Sequence, residues 1–174
     1  PFPISFYNEF DSDTVIICEG EKDAINLCSL GVCALTLGGV ANSWQNHKEL
    51  LRDKIVYIWF DNDKAGYTNA IARYKEIEAV AKAVYITLFY KLCPAAPAKY
   101  DISDYLADNQ AKFTSCEKIL DKLIYSSFKL TNDLIDEISE LYDCDLSKFK
   151  SAFKMVSFNN ICNEVMAKDK DGNY

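Results

Sequence analysis

Ile55-Val56-Tyr57-Ile58-Trp59-Phe60-Asp61-Asn62-Asp63-Lys64-Ala65-Gly66 is the stretch on which the fold turns. Its apolar half is short and rich in β-branched and aromatic residues, which reads as a buried strand. Carboxylates follow at once, and a helix-like pattern follows them. The same grammar stands upstream, where Thr14-Val15-Ile16-Ile17-Cys18 runs into Glu19-Gly20-Glu21-Lys22-Asp23-Ala24. Ligands of open α/β sheets gather at the carboxyl ends of such strands. Two strands that both end in acids point them into one crevice, where like charges tolerate each other if a cation sits between them.

Outward from these two runs, helices and strands alternate. Glu21 to Leu30 has apolar residues at helical spacing and is closed by Gly31; Val32 to Leu37 is a second apolar run that ends in Gly38-Gly39. Ser43 can cap a short helix through Leu51, Ala65 to Ala81 reads as a long helix, and Ala83 to Phe89 as a fourth strand. Strands separated by helices of such length are joined in parallel by right-handed crossovers. The expected fold class is therefore α/β: a four-stranded, mainly parallel, doubly wound (Rossmann-like) sheet flanked by helices.

The loop Tyr90 to Lys99 delivers a third acidic run, Asp101-Ile102-Ser103-Asp104-Tyr105-Leu106. Beyond Asn109 the pattern changes to amphipathic helix candidates over Thr114 to Ser126, Thr131 to Leu141 and Leu146 to Val156, with Thr114 or Ser115, Thr131 and Asp145 as caps. This divides the chain into an entry segment (1–13), a sheet domain (14–110) and a C-terminal helical extension (111–174) of unassigned role.

The chain has 174 residues, enough to bury a core without disulfides, and its seven cysteines include no Cys-x-x-Cys pair. Cys18, Cys28 and Cys33 fall inside strand or helix patterns, as reduced core thiols of a cytoplasmic protein would. No apolar run is long enough to span a membrane, and the start carries no signal-like core. The first residue is proline, and the reading is a piece of a longer chain. Net charge is −7, with 15 acids against 10 bases before residue 110 and 11 against 9 after it. A broad polyanion footprint would be basic, so either metal ions offset the acids and another region supplies the cationic grip, or no such grip exists. With His47 the sole histidine, histidine-based zinc chemistry is not the expected reading.

Asp61 and Asp63 lie two apart, and in extended backbone such side chains share a face. Their hard oxygens suit Mg2+ or Mn2+, which leave room for phosphate oxygens. Glu19 and Asp23 reach the crevice from the neighbouring strand, and Asp101 and Asp104 begin a further helix. Each run taken alone is equally a solvated turn or a helix cap; three runs at carboxyl ends form a pattern. Gly38 and Gly39 admit either a phosphate or a tight turn. Lys22 and Lys64 either touch a triphosphate or are solvated. Trp44 and Trp59 read as packing residues ahead of base-stacking ones, and Gly66 as the residue that lets the following helix approach the sheet.

In their order and spacing, Glu19-Gly20-Glu21-Lys22-Asp23-Ala24, Asp61-Asn62-Asp63-Lys64-Ala65-Gly66 and Asp101-Ile102-Ser103-Asp104-Tyr105-Leu106 resemble the Toprim domain shared by primases, topoisomerases and certain nucleases. The Asp-x-Asp-x-Ala-Gly form resembles the primase branch, and the Glu-Gly-Glu-x-Asp form the primase-helicases of phages and mobile elements. The resemblance covers about residues 10 to 110. It implies that Glu19 is the Toprim glutamate, acting as general base or metal organiser, and that Asp61 and Asp63 are the principal magnesium ligands. Asp23 and Asp101 match further acidic positions, and Asp104 a more variable one. The implied activity is a nucleotidyltransferase that makes RNA primers during DNA replication, with single-stranded DNA and nucleoside triphosphates as substrates and a replicative helicase in the same or a partner chain. A Toprim nuclease and a non-catalytic Toprim module of a replication complex remain the alternatives. No phosphate-binding Gly-x-x-x-x-Gly-Lys-Ser/Thr run and no zinc ribbon occurs in the sequence, so any helicase ATPase is expected outside this segment. The resemblance also implies a basic region ahead of the Toprim domain for template and nucleotide, and only about ten residues precede the first strand here, so this segment is expected to hold a metal site without being by itself a competent polymerase.

Overall fold

The computed structural model describes residues 1–39, 42–109 and 116–150. Its strands are β1 (Thr14–Cys18), β2 (Ala34–Leu35), β3 (Ile55–Trp59), β4 (Ala83–Thr87) and β5 (Ser127–Phe128), in the spatial order β2-β1-β3-β4-β5. The first four are parallel, as expected, and β5 adds a short antiparallel fifth strand to β4. The helices are α1 (Ile4–Tyr7), α2 (Glu21–Ser29), α3 (Lys64–Ile77), α4 (Phe89–Leu92), α5 (Ile102–Asp108), α6 (Cys116–Ser126) and α7 (Asn132–Leu141), with 3-10 turns at Lys48–Leu51 and Ser147–Phe149.

Alternation along the strands sorts the core into two layers. Val15, Ile17, Val56, Ile58, Val84 and Ile86 face α3 and α7, packing on Tyr67, Ile71, Ile77, Leu134, Ile135 and Ile138. Ile16, Cys18, Tyr57 and Trp59 face the other way, against Ala24 and Leu27 of α2, Ile102 and Tyr105 of α5, and Ile119 and Leu123 of α6. A parallel sheet covered on both faces needs strands that are apolar throughout, which is why β1 and β3 read as continuous apolar runs. Trp44 and Trp59 are buried, the packing role expected for them. Residues of α6 and α7 thus share the layers that hold the sheet, although they come from the segment beyond 110.

The edges explain most departures from the expected elements. Only Ala34 and Leu35 of the apolar run 32–37 ladder with β1; Thr36 instead exchanges both backbone hydrogen bonds with Phe2 at 2.8 Å, so the N-terminal residues cover that edge. The helix expected from Ser43 to Leu51 shortens to the 3-10 turn at Lys48–Leu51. Ser43 Oγ and the Trp44 amide both donate to the Glu76 carboxylate, at 3.0 and 2.7 Å, which commits that backbone to a tertiary contact. α3 begins one residue earlier than expected and ends at Ile77 instead of Ala81; β4 ends at Thr87 because α4 starts at Phe89. Of the helix expected over 146–156, the described part holds the 3-10 turn at Ser147–Phe149, and residues 151–156 lie outside the described residues. The caps expected at Thr114 or Ser115 also lie outside them, whereas Thr131 does cap α7 by accepting from the Leu134 amide at 3.1 Å.

Among the described residues Cys18, Cys28, Cys33, Cys93 and Cys144 are free thiols. No helix among them is long and apolar enough to cross a membrane.

Candidate metal centre

The strand order sets β1 between β2 and β3, and the chain leaves these strands on opposite faces. α2 packs on one layer and α3 on the other. Helices that diverge in this way leave a crevice at the carboxyl ends of the two strands. The last pair in the β1–β3 register is Cys18 with Trp59, so Glu19 and Asp61 emerge next to one another at the crevice.

Electrostatics shows which acids meet there. Burial pushes the half-buried Asp61 carboxyl up to about 7, with further upward contributions from the charges of Glu19, Asp23, Asp101 and Asp63. Glu19 is raised by burial first and then by Asp63 and Asp23, while the Asp61 amide draws it down. Glu19 Oε2 is buried without a hydrogen-bond partner. Four of the other five acids singled out in the sequence therefore act on the Asp61 carboxylate.

The same acids are also tied into the local backbone. Asp63 caps α3, accepting from the Gly66 amide at 2.8 Å. Asp101 and Asp104 form a reciprocal capping box on α5: the Asp104 amide donates to Asp101 Oδ1 at 2.6 Å and the Asp101 amide to Asp104 Oδ2 at 3.3 Å. Asp104 thus faces the backbone of Asp101. Asp23 Oδ1 is buried and accepts from both the amide and the hydroxyl of Ser103, at 3.0 and 2.6 Å; burial raises its pKa and these bonds oppose the rise. Asn26 Nδ2 completes the bridge to Ser103 at 2.8 Å, locking α2 to α5.

The candidate phosphate contacts separate. Lys22 stands 3.9 Å from Asp101 in an exposed ion pair, a geometry of small energetic weight. Lys64 Nζ donates to the Asp143 carbonyl at 3.1 Å, toward the C-terminal segment. Gly38 and Gly39 take φ values of +71° and +125°, so this is a turn that glycine favours. It props the glutamate, because Gly39 N–H and Thr36 Oγ1 both donate to the Glu19 carbonyl, at 3.2 and 2.8 Å. Gly66 does what its position suggests, since a Cβ there would lie 2.3 Å from the Asp61 carbonyl oxygen.

Among the described residues no three carboxylate, thiol or imidazole groups stand close enough together to hold an ion as placed. Asp63 and Asp101 each accept from a local backbone amide instead. The partnerless Glu19 Oε2 and a donor set made only of hard carboxylate oxygens nonetheless fit Mg2+ or Mn2+.

Sequence reasoning missed Asn62, Tyr142 and Ser103. Tyr142 and Ser103 meet Asn62 and Asp23 across eighty residues of chain, so no local pattern reports them.

Comparison with known proteins agrees with this geometry. The model of the Toprim-like family matches residues 16–106, which span all three acidic runs. No curated protein matches the chain. Among solved structures, the Aquifex aeolicus primase (zinc-binding and RNA polymerase domains) is similar with a TM-score of 0.52 and 25% identity, over 84% of this chain and 32% of that one. This chain thus spans about a third of the length of that primase. A chain from the bacteriophage T7 lagging-strand DNA polymerase bound to primase domains of two gp4 subunits aligns at 16% identity with a TM-score of 0.43, over 65% of this chain and 54% of that one. With acids following β1 and β3 and a family match over more than half its length, this chain belongs to the Toprim-like family.

Proposed function

We propose that this chain is the Toprim catalytic domain of a DNA primase or primase-helicase, acting in the cytoplasm to make RNA primers on single-stranded DNA by magnesium-dependent nucleotidyl transfer. The observation that carries the reading is the convergence of Glu19, Asp23, Asp63 and Asp101 on Asp61 at the sheet's switch point. Likeness to the Aquifex primase favours synthesis over the hydrolysis that other Toprim enzymes perform.

In this reading Glu19, Asp61 and Asp63 hold Mg2+ or Mn2+. The metal, when bound, neutralises charge on the transferring phosphoryl group and its leaving oxygen. Asp23 and Asp101 add negative potential from the rim, and Asp104 orients Asp101 through the capping box. Glu19 is also the base assigned to the proton of the attacking hydroxyl. Lys22 meets the polyphosphate at the mouth of the crevice. Gly38 and Gly39 keep the approach open and hold the Glu19 backbone. Template, nucleotides and a helicase partner are assigned to the full-length protein.

The test is primer synthesis by that full-length protein on single-stranded DNA with labelled ribonucleoside triphosphates and Mg2+ or Mn2+, beside Asp61→Asn and Asp63→Asn. Labelled oligonucleotides that vanish in both variants are expected. Synthesis at the wild-type level in either variant would sink the reading, and shortening of the input DNA without synthesis would favour a nuclease.

A further inference from the structure

We infer that Tyr142, at the end of α7, is a positioning residue for the acidic pair: acting through Asn62, it holds the backbone that presents Asp61 and Asp63 to the metal. The inference rests on the metal reading above.

Asn62 lies between the two acids and is buried, and every polar group it has is engaged. Its amide donates to the Tyr100 carbonyl at 3.0 Å, and its carbonyl accepts from the Lys99 amide at 3.1 Å. Side-chain Nδ2 donates to the carbonyls of Ala96 and Pro97, at 3.2 and 3.0 Å. Oδ1 accepts from Tyr142 Oη at 2.7 Å. The loop 96–100 thus grips Asn62 from one side, and the tyrosine hydroxyl grips it from the other. A buried amide side chain with all its bonds made has one orientation available, because any rotation orphans a donor or acceptor.

Tyr142 is itself well placed to transmit rigidity. Its ring packs on that of Tyr67 at 4.7 Å between centroids, and Tyr67 belongs to α3, the helix that Asp63 caps. Its amide closes α7 on the Ile138 carbonyl at 3.1 Å, and α7 is anchored by Leu134, Ile135 and Ile138 in the sheet's core. The next residue repeats the contact, since the Asp143 carbonyl accepts from Lys64 Nζ at 3.1 Å. The segment beyond the family match therefore touches both residues that alternate with the acids, Asn62 and Lys64. Partners that hold first ligands in place change metal affinity although they touch no metal.

The experiment is Mn2+ binding by the 174-residue chain, read by electron paramagnetic resonance of free Mn2+, with urea unfolding of each protein alongside. Tyr142→Phe keeps the ring on Tyr67 and deletes only the hydroxyl. It is expected to weaken Mn2+ binding about tenfold. Asn62→Ala, which also removes the bonds to Ala96 and Pro97, should weaken it at least as much, and adding Tyr142→Phe to it should weaken binding no further, since the hydroxyl acts on the acids through Asn62. Ile138→Val loosens α7 without touching the hydroxyl and should bind Mn2+ as the wild type does. Wild-type affinity in Tyr142→Phe overturns the inference, as does an equal loss in Ile138→Val, which would mark general loosening. A wild-type chain that takes up no Mn2+, and is matched by Asp61→Asn, overturns the metal reading itself and the brace with it.

Discussion

Gly66 rests directly on the backbone of Asp61: a Cβ on the glycine would stand 2.3 Å from the Asp61 carbonyl oxygen and 3.1 Å from its carbon and nitrogen. The helix that follows the acidic pair therefore packs against the backbone that presents the pair. Gly66→Ala cannot be absorbed by a side-chain rotation, because the obstacle is main chain. Such overpacking costs about 3 kcal/mol, and urea unfolding should show a loss of that size together with weaker Mn2+ uptake.

Asp61 gives the metal-free protein a pH dependence of unusual sign for a carboxylate. Its folded pKa is pushed up to about 7, above the unfolded value of about 3.9. The stability it lends by carrying a proton is whole below the unfolded value and is lost as pH rises through the folded one. With chelator present, Asp61→Asn should match the wild type near pH 4 and exceed it at pH 8. The gain is about 1 to 2 kcal/mol once the half-exposed position is discounted for screening by water. Saturating Mg2+ should reverse the order at pH 8, because the wild type alone then gains from binding. Thermal unfolding across that pH range, with and without Mg2+, checks both halves.

Asp23 separates charge from hydrogen bonding. Its carboxylate accepts from the Ser103 amide and hydroxyl. Asp23→Ala orphans a buried amide and should cost about 2 kcal/mol. Asp23→Asn keeps an acceptor oxygen and should cost less than half of that, while Mn2+ affinity falls in both. Equal stability of the two variants in urea would show that the bonds to Ser103 contribute little.

The strands and the acids that end them were legible because both signals are local. A strand covered on two faces is apolar throughout, and Glu19 follows β1 directly while Asp61 follows β3 after Phe60. The capping box of Asp101 and Asp104 is equally local, but its spacing is the same as that of a ligand pair, so only the structure shows the two bound to each other's backbone. What stayed hidden depends on distant chain. Glu76 takes the amide that would have continued a helix at Trp44, Ser103 reaches Asp23, and Tyr142 reaches Asn62. β5 is two residues long, too short to carry a period, and is created by its partner β4.

That last strand bears on how the protein may be shortened. A boundary drawn at residue 110 would strip β4 of its neighbour, leaving its outer hydrogen-bonding row open. It would also bare the patches that Ile119, Leu123, Leu134, Ile135 and Ile138 cover. Such a trimmed piece would keep all six acids of the candidate site and offer a ready seam for another chain to zip onto. The span that a family shares and the span that closes the sheet's edge and covers its core are different lengths of this polypeptide.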